Sequence, residues 1–276
     1  TDSLFVLKLA VDAVMDAIGQ HGVLGFHIEG PHISVERRGT HSARFVRPFD
    51  EDTFQLVKKL RSAEVPTMLT LAPEVVSPRD ISRLVDLGAV VSIGHSNASA
   101  SVVRRALKAG ASCFTHLFNA MPPLAGREPG VVGAAVNSDA FAGIICDGIH
   151  VADEMVAMAL RARPVSDRMY LVSDAMPTVG GPDEFSLYGS KVKLINKRLV
   201  NNEGGLAGAH ITQSEGVKRL VDCIGISKED ALKMAITVAQ TGVRVQEPVG
   251  DQLPDRSERR LGPPLRRVQA QPARDR

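Results

Sequence analysis

The sequence predicts an α/β protein built on a (β/α)8 barrel of the TIM type, incomplete because only six of the eight strands can be read. Three observations point there. Apolar, β-branched runs recur, each closing in a polar or glycine-rich turn and each followed by a stretch of helical period, the pattern of βα units around a parallel sheet. Potentially reactive residues, Glu29, His95, His116, His150 and Asp174, stand at or near the ends of those runs. A barrel opens all its strand ends on one face, and that face carries the active site. No Gly-rich dinucleotide or phosphate-loop fingerprint follows an early strand, which argues against a doubly wound sheet.

In chain order, LFVLKLAVDAVMDAIG comes first, and Lys8, Asp12 and Asp16 break its apolar run, so it reads as an amphipathic helix rather than a membrane span. Strands are expected at 23–30 (VLGFHIEG), 65–73 (VPTMLTLAP), 89–96 (AVVSIGHS), 112–118 (SCFTHLF), 142–150 (AGIICDGIH) and 169–176 (MYLVSDAM). Helices fit between them at DEDTFQLVKKLRSAE, SPRDISRLVDLG, NASASVVRRALKAG and VADEMVAMALRAR, where Asp50, Ser77, Asn97 and Asp153 offer caps or acidic first turns. After residue 177 the pattern changes to short alternating pieces, FSLYGSKVKLI and KRLVNNEGG, the remnant of a small β-domain inserted over 178–205. ITQSEGVKRLVDCIGISKEDALKMAITVAQTGV (211–243) resumes the helical period. Residues 1–243 thus form the barrel unit. Residues 244–276, rich in Arg and Pro without a usable apolar period, read as a tail that is disordered or out of frame.

A chain of 276 residues with 44% hydrophobic and 23% charged residues folds. Its net charge of +2 is local: residues 251–276 hold seven Arg against Asp251, Asp255, Glu258 and Asp275, so the rest is faintly acidic. With two Tyr and no Trp to stack on bases, no nucleic-acid partner is expected. No apolar run approaches a membrane span and no basic leader precedes the first helix, so the expected place is the cytoplasm. Cys113, Cys146 and Cys223, odd in number and set among apolar neighbours, read as reduced core thiols.

Taken singly, His95 in SIGHSNAS, His116 in THLF and Glu29 in HIEGPHIS are each more often structural than catalytic. Together they change the reading. One carboxylate and two imidazoles on three strand ends of one barrel face can supply three protein ligands to a divalent ion and leave a position open for water. Such an ion lowers the pKa of water from about 16 to about 7, and Asp174 in YLVSDAM stands where it could accept the proton and return it to a leaving amine. His150 in DGIH and His41 in RRGTHS are candidates to polarise a carbonyl or hold sugar hydroxyls. Arg127 has the planar fork that suits a phosphate; the alternative is a solvated Arg paired with Glu128.

These stretches, HIEGPHIS with RRGTHS, SIGHSNAS, THLFNAMPPLAGREPGVVGA, DGIHV, and LVSDAM with LAG, run in order from about residue 20 to about residue 240 and resemble the N-acetylglucosamine-6-phosphate deacetylases of the amidohydrolase superfamily. The resemblance implies one divalent metal, Zn first with Fe, Co or Mn as alternatives, held by Glu29, His95 and His116, and Asp174 as general base and then acid. It implies substrate contacts from Thr40, His41, Asn119, Ala120, Arg127, the segment Asp147, Gly148, Ile149, His150, and Leu206, Ala207, Gly208. Asn119, Ala120 and Arg127 would grip the phosphate, partly across a homodimer interface. The implied reaction, a step of amino-sugar catabolism, is hydrolysis of the acetamide of N-acetylglucosamine 6-phosphate to glucosamine 6-phosphate and acetate. Deacetylation of the galactosamine epimer, or an inactive fragment that binds metal or sugar phosphate without turnover, are the alternatives.

The sequence departs from the family at three places. The opening β-domain strands and the H-x-H pair that some members use for a second metal have no counterpart here, so a single-metal site and lower stability and activity than a complete relative are expected. In place of a segment like LGSLAPGKDADLVVL it ends DQLPDRSERRLGPPLRRVQAQPARDR. LAGAHITQ (206–213) replaces the commoner LAGSSLTM, a change next to the expected sugar contact at Gly208.

Overall fold

The six strands expected from the apolar runs pair side by side in chain order. In the computed structural model, which describes residues 1–20 and 22–243, α1 (Leu4–Ala17) precedes β1 (Phe26–Glu29). Then α2 (Glu51–Ser62), β2 (Thr67–Leu71), α3 (Pro78–Asp86), β3 (Val90–Ile93), α4 (Ala100–Lys108), β4 (Cys113–Phe114), α5 (Gly130–Val136), β5 (Phe141–Ile145), α6 (Asp153–Ala162) and β6 (Met169–Val172) alternate. The strands are all parallel, in the order β1-β2-β3-β4-β5-β6, and form a parallel half-barrel.

Alternation along the strands gives the sheet two unlike faces. Leu69, Leu71, Val91, Ile93, Phe114, Ile144 and Leu171 point outward into the main core, where they meet Val57, Leu60, Ile81, Leu84, Val103 and Val156 of the helices. Burying each such side chain contributes about 1.5–3 kcal/mol. The inner face is partly polar. Thr115 Oγ1 lies 2.7 Å from Thr70 Oγ1 and 2.6 Å from Ser92 Oγ, and Cys113 Sγ lies 3.0 Å from the Tyr170 hydroxyl, so these buried groups satisfy one another.

Beyond β6 the chain forms a second, antiparallel sheet of β7 (Glu184–Leu187), β8 (Ser190–Ile195), β9 (Arg198–Val200) and β10 (Leu206–Ala209), in the order β10-β9-β8-β7. Its two tight hairpins turn at Tyr188-Gly189 and Asn196-Lys197, all four with positive φ, as two-residue hairpins with the favoured twist require. β10 returns to the half-barrel through a bridge between Ala175 and Ala209. Helices α7 (Gln213–Asp222), α8 (Lys228–Ala235) and α9 (Thr237–Val243) follow. Val238 and Ala239 of α9 pack against Met68, Val90, Cys113 and Tyr170 on the inner face.

Several expectations are corrected. Asn97 does not cap α4; Ser99 does, accepting from Val102 N, while Asn97 bonds Glu36 and Arg37. Asp50 and Ser77 cap α2 and α3 as read, and Asp153 lies in the first turn of α6. The strand expected over 112–118 stops at Phe114 because His116 and Phe118 take positive φ. α5 was not foreseen: all seven residues of GVVGAAV are buried, so no polar face betrays the helical period. Cys223 is exposed, unlike Cys113 and Cys146. The tail expected over 244–276 lies outside the described residues.

Candidate metal centre and catalytic cleft

Glu29 is the last residue of β1, whereas His95, His116 and Asp174 each stand two residues beyond the end of β3, β4 and β6. Those last three have φ of +47°, +29° and +50°, a left-handed conformation that costs a non-glycine residue roughly 1–2 kcal/mol. Strain of this kind concentrates at functional sites. Gly94 makes room for the turn that carries His95, since a Cβ there would lie 2.8 Å from Thr115 Cβ and 2.9 Å from Thr70 Cγ2.

The turns bring three donor atoms together. Glu29 Oε1 lies 3.2 Å from His95 Nε2 and 3.1 Å from His116 Nε2, and the two nitrogens are 3.0 Å apart. Edges of this length approach those of a tetrahedron with metal–ligand bonds of about 2.0–2.1 Å. Proton placement argues the same way. His95 Nδ1 donates to the Arg37 carbonyl at 2.8 Å, which turns Nε2 toward the Glu29 carboxylate and His116 Nε2. A carbonyl behind the ring is the usual orienting partner of a metal-binding histidine. His116 is buried and its Nδ1 finds no partner. Among the described residues, Glu29, His95 and His116 are the one group with metal-holding geometry.

The surrounding electrostatics are graded. Burial would raise the Glu29 carboxyl, but the imidazoles of His116 and His95 hold it well below the usual carboxylate range. Burial, followed by the charge of Glu29, pushes Asp174 upward, which makes it a stronger proton acceptor. Both line a cavity of about 410 Å3 with His27, Thr115, His116 and Ser173. His41 approaches the other carboxylate oxygen, its Nε2 3.8 Å from Glu29 Oε2 and its ring 4.8 Å from that of His95. Burial and then the neighbouring His95 drive it down to about 3, so it is neutral at ordinary pH.

The remaining expected residues are placed as follows. His150 Nδ1 lies 2.6 Å from Asp147 Oδ2, and Asp147 Oδ1 accepts the backbone N–H groups of Ile149 and His150; Gly148 between them has φ +70°. Leu206, Ala207 and Gly208 lie on β10, held beside Asp174 by Ala209 N donating to Asp174 O at 2.8 Å. Asn201 Nδ2 reaches Thr40 Oγ1 at 3.5 Å, joining the RRGTHS loop to the second sheet. Asn119 N donates to His116 O and Ala120 O accepts from Ser96 N, so both backbones are tied to the ligand turns. Arg127 is exposed on its loop. It is not paired with Glu128, whose Oε1 instead accepts from Ala100 N and Gly130 N and so anchors the start of α4.

The sequence reading missed His27 and Glu74. His27 sits two residues before Glu29 on the same strand face, bonds Thr70 Oγ1 at 2.7 Å and lines the cavity; the period of two in F-H-I-E was a signal for it. Glu74 accepts from Ser96 Oγ at 2.7 Å and Asn97 N at 2.6 Å and so clamps the turn after His95. Nothing in its local sequence announces that long-range contact.

No family model matches the chain. It is 40% identical over 239 residues to the N-acetylgalactosamine-6-phosphate deacetylase of Shewanella sp. (strain ANA-3), an alignment covering 85% of this chain and 60% of that protein. The solved N-acetylglucosamine-6-phosphate deacetylase of Pasteurella multocida superposes with a TM-score of 0.82 at 34% identity, over 88% of this chain and 64% of that one. Over most of its length the chain is similar to N-acetylglucosamine-6-phosphate deacetylases. A variant of the Mycobacterium smegmatis member, solved in complex with N-acetyl-D-glucosamine-6-phosphate, superposes with a TM-score of 0.81 at 28% identity, over 88% of this chain and 65% of that one. The chain thus spans about three fifths to two thirds of the length of these family members.

Proposed function

We propose that the protein hydrolyses the acetamide of an N-acetylated hexosamine 6-phosphate, with N-acetylglucosamine 6-phosphate as substrate, to the free amine and acetate. The observation that carries this is the convergence of Glu29 Oε1, His95 Nε2 and His116 Nε2 within 3.0–3.2 Å of one another, beside an Asp174 that shares the cavity. These three side chains would hold one divalent ion, Zn by preference for its tetrahedral N/O set. When bound, the ion supplies Lewis acidity and an acidified water. Asp174 accepts the proton of the attacking water and passes it to the departing sugar amine. The neutral His41 and the buttressed His150 flank the site and meet the acetamide and sugar. Asn119, Ala120 and Arg127 take the phosphate, shared with a second copy in a homodimer, in the cytoplasm.

The half-barrel is then the greater part of a (β/α)8 barrel, with 178–205 an inserted β-element of a single unit over 1–243. The superposition on 88% of this chain but only 64% of the Pasteurella protein supports that reading. One observation favours a second substrate: the relative at 40% identity is named for the galactosamine epimer. Acetate release from the two epimers, with and without added zinc, decides both matters. Turnover of the glucosamine form with metal is the expected result. Equal silence on both sugars with metal bound would leave a binding protein. Asp174→Asn is expected to lower turnover by about 10²–10⁴-fold while metal content by elemental analysis stays unchanged.

A further inference from the structure

The segment after β5, Asp147-Gly148-Ile149-His150, follows from the resemblance as a run of substrate contacts, but its atoms divide the work differently. Both oxygens of Asp147 are already engaged: Oδ1 accepts Ile149 N and His150 N at 2.8 Å each, and Oδ2 takes His150 Nδ1 at 2.6 Å. The two side chains are only 6% and 8% exposed, so water does not compete for the pair. Gly148 is clamped from the other side, since a Cβ there would lie 2.0 Å from Arg219 Nη2, and Arg219 is itself held by two bonds to Asp153 at 2.8 and 2.7 Å. Ile149 faces a different cavity, which it shares with His210 and Ile211. Only the far edge of the His150 ring, at Nε2, is left without a hydrogen bond among the described residues.

We propose that Asp147 is a positioning residue that never touches substrate: its carboxylate fixes the proton on His150 Nδ1, so that Nε2 is the single atom of this segment presented to the reacting sugar. A carboxylate that accepts three N–H groups stays charged, because hydrogen bonds to its ionised form outweigh burial. A charged acceptor behind one ring nitrogen decides both the tautomer and the angle of the ring. This rests on the hydrolase reading, and the test separates the two.

Asp147→Asn, which keeps the shape and admits the wrong tautomer, should lower kcat/KM for N-acetylglucosamine 6-phosphate by about 10- to 100-fold, with metal content and melting temperature unchanged. The same change made on His150→Ala should cost less than about twofold, because the pathway through the ring is gone. Equal losses in both backgrounds overturn the proposal. Nitrogen-detected NMR of the unaltered protein, which needs neither turnover nor a folded variant, should show His150 protonated at Nδ1. An Nε2–H tautomer overturns the proposal, whereas an Nδ1–H ring in a protein that releases no acetate refutes only the hydrolase reading.

Discussion

At the residue scale, one carboxylate oxygen and two imidazole nitrogens, from Glu29, His95 and His116, lie 3.0–3.2 Å apart, a donor set that could hold a metal ion. The positive φ of His95, His116 and Asp174 shows backbone energy diverted into aiming side chains at one point. Residue types at strand ends were legible because an apolar run that stops on His or Asp is visible in one dimension. Proton placement was not, because it depends on Arg37 O behind His95 and Asp147 behind His150. The cysteines give a prediction at this scale. Burial raises the Cys113 thiol and pushes Cys146 up to about 12, while Cys223 is exposed. Maleimide at neutral pH should label one thiol per folded chain, and peptide mapping should place it at Cys223. Rapid labelling of two or three thiols in the folded state would contradict the burial of the others.

At the scale of elements, helix boundaries followed local chemistry closely where a single cap was on offer, as at Asp50 and Ser77. Around α4 the expected Asn97 gives way to Ser99, because Glu36 and Arg37 engage the Asn97 amide. Ser99→Ala should therefore cost about 0.5–2 kcal/mol, read from the shift of a urea midpoint at constant slope; no change would mean that Glu128, already bonded to Ala100 N, is the effective anchor. Gly94 is a harder constraint. Gly94→Ala places a methyl 2.8–2.9 Å from Thr70 and Thr115, so the strand ends must part. Overpacking of this sort costs about 1–3 kcal/mol, and here it should also weaken metal retention, measured by titration of a chelated apoprotein.

Across the whole molecule, the half-barrel juxtaposes residues 66 positions apart, Glu29 and His95, and a bound ion would tie their strands together. Ligand that binds only the folded state stabilises it by about 2.7 kcal/mol at one hundred times its dissociation constant, so added zinc should raise the melting temperature by several degrees for a chain of this size. A chelator should reverse the gain, and a Glu29→Gln variant should show little of it. A melt indifferent to metal would remove the case for a centre at these residues.

By itself the sequence determined the α/β alternation, the order of strands and helices, and which chemically competent residues stand at strand ends, because hydrophobic period and turn composition are local properties of the chain. Only the tertiary structure decided which of those residues meet, that α5 is a fully buried helix, that Asp147 serves His150 and Glu74 serves the His95 turn, and that Cys223 faces water. Each of these depends on contacts between segments far apart along the chain, where distance, burial and the direction of a hydrogen bond exist only once the sheet and its helices have packed together.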